Sequence, residues 1–120
     1  MSGRVVTLEW PWPEKRLWPN RRAHWRELHA ARQQSRLVAR AGAMHVLRPG
    51  ETIENYIPLT LEFCPPANRR FDRDNALAAL KGHLDGLAEA LRVDDTLFEP
   101  ITLRRGPVIR GGCVRVQIGE

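Results

Sequence analysis

Two pairs of aspartates offer the clearest chemistry in the sequence. Asp72 and Asp74 stand two residues apart in Arg69-Arg70-Phe71-Asp72-Arg73-Asp74-Asn75, and Asp94-Asp95 follows later in the chain. In extended backbone, residues two apart point to the same side, so Asp72 and Asp74 can converge on one ion. Carboxylate oxygens are the ligands that a hard cation such as Mg2+ prefers. Capping competes for the same residues, because Asp at a helix start accepts from free amides and Asp-Asp after a helix commonly forms a turn. Lys81 and Asp85 form an i,i+4 pair between the two acidic clusters. An ammonium beside a metal stabilises a developing phosphorane or orients a water. An ordinary surface ion pair, worth under ~1 kcal/mol, accounts for the same spacing. Lys81 is nevertheless one of two lysines in a chain with seventeen arginines, and arginine would have served for simple charge.

The elements that must position these groups are legible from periodicity. A helix is expected from about Asn75 to Arg92, with Leu77, Leu80, Leu84, Leu87 and Leu91 as its core-facing stripe. On one continuous helix, Asp74, Lys81 and Asp85 fall within about 40° of one another. Such a helix is about 27 Å long, so Asp95 reaches Asp72 only if the chain folds back across the sheet. An earlier helix is expected from Arg21 to about His45, with Asn20 as its N-cap. Its Arg22, Arg26, His29, Gln33, Arg36 and Arg40 share one face, and Leu28, Ala31, Ser35, Val38, Ala39 and Gly42 share the other. The small face can rest on a sheet while the arginines meet solvent or a polyanion. Arg4–Trp10, Tyr56–Phe63, Ile101–Arg105 and Cys113–Ile118 read as strands. Pro58 within the second favours an edge position or a bulge. The expected class is α+β: a small mixed sheet of about four strands with two main helices on one face, in a single domain spanning 1–120.

Charge is unevenly distributed. The net charge of +5 divides into a balance of +7 over residues 1–48 and −4 over residues 71–100. A basic surface beside an acidic pocket suits a protein that grips polyanions and holds a divalent metal. The longest apolar runs are a few residues, far short of the ~20 a membrane-spanning helix needs, and no signal-like segment opens the chain, so a cytoplasmic location is expected. Cys64 and Cys113, 49 residues apart, form neither a zinc knuckle nor a redox motif and are expected as buried free thiols. Trp12, Trp18 and Trp25 are available for packing.

Arg69-Arg70-x-Asp72-x-Asp74-Asn75, then Lys81-x-x-x-Asp85-x-Leu87 and Asp94-Asp95, resembles the RusA family of Holliday junction resolvases, small Mg2+-dependent dimeric endonucleases of bacteria and prophages. Leu8-Glu9-Trp10-Pro11-Trp12-Pro13 is similar to that family's first strand running into prolines, and Pro19-Asn20-Arg21-Arg22 to its variable N-terminal loop. The likeness spans most of the chain, with its specific part from Pro65 to Asp95. It implies Asp72, Asp74 and Asp95 as metal ligands, Lys81 as the catalytic lysine and Asp85 as an accessory acid, with Asp94 beside them. The family commonly places its lysine four residues after the second aspartate, whereas here the interval is seven. On an unbroken helix the extra residues shift the lysine ~4.5 Å along the axis and rotate it by ~60°. Either an insertion is absorbed at the helix start, or Lys81 does not occupy the family position, where Ala78 stands.

The expected activity is hydrolysis of paired phosphodiester bonds in branched DNA, with Mg2+ or Mn2+ as the metal and no organic cofactor or membrane partner. Arg69, Arg70, Arg22, Arg26, Arg36 and Arg40 would grip the backbone, and a homodimer would supply two active sites. Two alternatives stay open: a non-catalytic basic DNA-binding protein, and a flap- or fork-specific nuclease with the same metal chemistry.

Overall fold

The computed structural model describes residues 3–19 and 24–120. Its order is β1 (Val6–Pro11), α1 (Trp25–Ala43), β2 (Ile57–Cys64), α2 (Arg73–Ala79), α3 (Lys81–Leu91), β3 (Phe98–Arg105) and β4 (Cys113–Ile118), with 3-10 turns at Lys15–Leu17 and Asp95–Leu97. The strands form one mixed sheet in the order β1-β4-β2-β3. β4 runs antiparallel to both β1 and β2, while β3 lies parallel to β2. A parallel neighbour cannot be reached by a hairpin, so the chain crosses over through α2 and α3.

Alternation along the strands divides the sheet into two faces. Leu59, Leu61, Phe63, Val114, Val116, Ile118 and Trp10 are buried together with Leu80, Leu84, Leu87 and Leu91 of the helical layer. Fully burying an aliphatic or aromatic side chain of this size contributes roughly 1.5–3 kcal/mol. The opposite face carries a charged row in register, Glu9–Arg115–Glu62–Arg104, one residue from each strand. Glu62 accepts from Arg115 at 3.1 Å and pairs with Arg104 at 3.5 Å. Opposite charges on directly facing strand positions attract, so this face is stable in water without a covering layer.

Pro58 lies in a central strand, at a register shift between Ile57 and Leu59. Of the two expectations for it, the irregularity holds and the edge position does not. Proline lacks the amide the ladder needs, but its carbonyl still accepts from Gly119 N at 2.9 Å.

The helical layer departs from expectation in several ways. The single helix expected over Asn75–Arg92 is two helices meeting at Leu80, whose φ of −95° and ψ of 7° leave the helical region. Leu80 N donates to Leu77 O at 3.0 Å, tightening the last turn of α2. α1 is capped by His24, whose Nδ1 accepts from Arg26 N at 3.1 Å, while Asn20, the expected cap, lies outside the described residues. The small face of α1 rests on α3 in addition to the sheet-side core. A Cβ at Gly82 would stand 2.5 Å from Arg32 O, and one at Gly86 2.1 Å from Arg36 O. Two glycines four apart lie on one face of a helix, so the backbones of α1 and α3 touch there. Val38, assigned to the apolar face, is instead half exposed at 49%.

The expected strand and thiol assignments otherwise hold. β4 is Cys113–Ile118, and Cys64 and Cys113 are buried and free. They face each other in register across β2 and β4, and burial, with the adjacent Cys113 thiol, pushes Cys64 up to about 11. Among the described residues, no helix is long and apolar enough to cross a membrane.

His83 was not singled out by its sequence context. It is buried on α3 with its ring 5.0 Å from that of Trp10, and its Nδ1 has no hydrogen-bond partner. Burial holds it down to about 4.

Two measurements check this architecture. Gly86→Ala forces a methyl into the α1 backbone and is expected to cost about 3 kcal/mol in urea unfolding. Gly42→Ala, with nothing within 4 Å of the added carbon, is expected to add about 0.5–1 kcal/mol. For His83, the unfolded chain binds the proton near 6.5 while the fold resists it until about 4. Stability therefore falls as pH drops through that window, by on the order of 3 kcal/mol, and levels off below it. The difference in unfolding free energy between wild type and His83→Leu, followed from pH 7 to pH 4, reads this slope.

Candidate active site

Asp72 is the N-cap of α2. Its Oδ1 accepts from Asp74 N at 2.8 Å and Asn75 N at 3.2 Å, the bonds that orphan amides at a helix start require. Asp74 follows in the first turn, and both carboxylates are exposed. Capping engages one carboxylate oxygen, and Oδ2 of Asp72 takes no part in either amide bond.

Lys81 opens α3, immediately past the break at Leu80. Its Nζ donates to Asp85 Oδ1 at 3.2 Å and to Asp95 Oδ2 at 3.4 Å. The Asp85 hydrogen bond is the main cause that raises the Lys81 pKa above its ordinary value, with Asp95 adding to it. The chain reverses after α3 and brings Asp95 to Lys81, but among the described residues Asp95 forms no cluster with Asp72 and Asp74, the meeting for which the sequence required a fold-back across the sheet. α3 ends at Arg92, which adopts the left-handed conformation at φ 56° and ψ 43°, and Val93 N donates to Ala88 O at 3.0 Å. Asp94 then caps the 3-10 turn, accepting from Thr96 N at 2.9 Å, a bond that lowers its pKa. The return carries Asp95 back along α3 as far as Lys81.

Asp74 and Lys81 no longer share one helix projection, because the break at Leu80 separates their helices. The structure brings Lys81, Asp85 and Asp95 together and leaves Asp72 and Asp74 at the start of α2. Among the described residues, no three His, Cys, Asp or Glu side chains are grouped so as to hold a metal ion. Mg2+ is commonly bound through one or two carboxylates, with water and substrate phosphate completing its shell. The exposed Asp72–Asp74 pair meets that demand in donor chemistry.

The expected cationic groups divide into free and engaged. Arg69 and Arg70 are exposed beside Asp72. Arg36 donates to both carboxylate oxygens of Glu89, at 2.7 and 3.0 Å, and Arg40 pairs with the same carboxylate at 3.7 Å. Arg26 is exposed, its guanidinium 5.3 Å from the Trp25 ring centroid. Arg22 lies outside the described residues. Trp12 and Trp18 stack at 5.6 Å and meet Phe71 at 5.7 and 6.5 Å, so both pack within the molecule and brace the loop before Asp72. Trp25 is 66% exposed.

Sequence reasoning passed over Phe71 and Arg105. Arg105 places its guanidinium 4.9 Å from the Phe71 ring centroid and donates to the Arg69 carbonyl at 2.6 Å. The one available signal was an aromatic residue directly before the Asp-x-Asp pair.

No family model matches the chain. The chain is 36% identical over 125 residues to an uncharacterized protein of Xylella fastidiosa (strain Temecula1 / ATCC 700964), covering 98% of this chain and 80% of that protein. It belongs to the same family as that protein.

The electrostatic coupling of Lys81 is directly measurable. Asp85→Asn removes the largest contribution that raises the lysine, so its pKa is expected to fall towards the ordinary value. Site-specific trinitrophenylation of Lys81 should then proceed faster at pH 9 than in wild type.

Proposed function

We propose that this chain is a Mg2+-dependent endodeoxyribonuclease of the RusA type, which resolves four-way DNA junctions as a homodimer by hydrolysing one phosphodiester bond per subunit. The observation that carries this reading is the position of Lys81. Its ammonium lies between Asp85 and Asp95, one helix break away from exposed Asp72 and Asp74.

Asp72 and Asp74 would hold the cation, while Asp95, grouped with Lys81 and not with them, would position the ammonium. Bound there, Mg2+ would offset charge on the scissile phosphate and promote ionisation of the attacking water. Lys81 is protonated through the neutral range as any ordinary lysine is, and its raised pKa keeps it so beside two carboxylates. It therefore acts as a permanent cation and hydrogen-bond donor, not as a general base. A phosphate oxygen gaining charge in the transition state competes with Asp85 and Asp95 for the three ammonium protons. Arg69 and Arg70 hold the backbone on the approach to Asp72 and give salt-dependent affinity without reading sequence.

A second reading, a basic DNA-binding protein without catalysis, is favoured by the capping bonds of Asp72 and Asp94. One assay separates it from the first: purified protein with a synthetic four-way junction, a flap and a linear duplex, in Mg2+ or EDTA. Symmetric, Mg2+-dependent nicking of the junction is the expected outcome. Cutting confined to flaps or forks reassigns the substrate, and binding without cutting supports the second reading. Asp72→Asn and Asp74→Asn are expected to abolish cleavage while junction binding persists. Lys81→Ala is expected to slow cleavage roughly 10²–10³-fold; wild-type rates in all three variants would overturn the site assignment.

A further inference from the structure

Beside the start of α2 lies a cavity of about 310 Å3 lined by Phe63, Phe71, Arg73, Leu103, Arg104 and Arg105. Its walls are two aromatic rings and a leucine, and its rim is three arginines with no acidic residue among the lining side chains. Phe71 and Arg73 flank Asp72 directly in the chain, so the cavity and the first carboxylate share one loop.

The three arginines are not equivalent. Arg105 is fixed by its bond to the Arg69 carbonyl and by its stacking on Phe71. Arg104 is tied to Glu62 at 3.5 Å. Arg73, exposed in the first turn of α2, makes no ion pair among the described residues. The cavity thus offers apolar walls and two guanidiniums, Arg105 anchored and Arg73 free to meet an anion, while that of Arg104 is committed to Glu62 on the opposite face of the sheet.

That combination suits a planar π-system joined to a phosphate. We infer that the cavity receives one unpaired base of a DNA strand, stacked against Phe71 and Leu103, while Arg73 meets the adjoining phosphate. The base would come from a strand opened next to the phosphodiester bond presented to Asp72. This inference rests on the proposed nuclease function, deepening it from branched DNA to DNA with an unstacked nucleotide near the cut. Stacking on aromatic side chains tolerates every base, because each has a π-face, so the cavity would contribute affinity for opened DNA and not sequence preference.

The test is fluorescence anisotropy in EDTA, comparing a labelled pentathymidylate with a fully abasic pentamer of equal charge. The complete pentamer is expected to bind roughly tenfold more tightly. Leu103→Trp, which fills the cavity, should erase that difference and leave binding of the abasic strand unchanged. Equal affinity of wild type for the two strands overturns the inference, as does a difference that survives Leu103→Trp. Free thymidine monophosphate competing as well as the pentamer would overturn it too, by making this a mononucleotide site. Junction cutting in Mg2+ is scored separately. Base-dependent binding without cutting would sink the nuclease reading and leave the cavity assigned; cutting without base-dependent binding would do the reverse.

Discussion

The contact between α1 and α3 sets the rest of the helical layer. Gly82 and Gly86 bring two backbones closer than any side chain would permit, and the buried small residues Ala31, Ala39 and Ala43 of α1 accept that approach. Close-packed interiors transmit small changes in volume, so this surface has little slack. α3 must lie against α1 with one face and cover β2 and β4 with its leucines. The chain begins this helix afresh at Lys81 instead of continuing α2 through Leu80. The bend therefore determines where the lysine emerges and which carboxylates it meets.

The acidic residues show how one side chain can answer structural and chemical demands together. Asp72 supplies an acceptor to the first amides of α2, and Asp94 does the same for the 3-10 turn. The Asp94 bond favours its ionised carboxylate, since accepting from an N–H group stabilises negative charge. A carboxylate held in place by backbone is also a prearranged donor for a cation. Asp95 is in a different position, because its partner is a flexible ammonium. Exchange of that partner for a phosphate moves only side chains.

Much of the architecture was legible because it depends on period and punctuation. Alternation marked Ile57, Leu59, Leu61 and Phe63 as a buried strand face, and the leucine spacing marked the core side of the second helical region. The break at Leu80 was hidden because Leu77, Leu80 and Leu84 keep helical spacing across it. The signal against continuity was Gly82 and Gly86, whose meaning depends on a neighbour distant in sequence. Arg36 illustrates the same limit. Its place on a cationic stripe followed from periodicity, but its engagement with Glu89 follows from the α1–α3 contact. The site was legible as a set of residue types, since Asp72, Asp74, Lys81, Asp85 and Asp95 were all named. Their grouping was not, because it depends on the bend and on the chain reversal after Arg92.

The alternating row Glu9–Arg115–Glu62–Arg104 has a consequence for encounters in solution. Its four charges cancel, so the open face of the sheet contributes almost no monopole, and the net charge of +5 resides on the remainder of the molecule. A highly charged polymer diffusing nearby meets a lopsided potential and exerts a torque on the protein before contact. The sheet's bare side, with no net charge of its own, neither draws nor repels such a polymer.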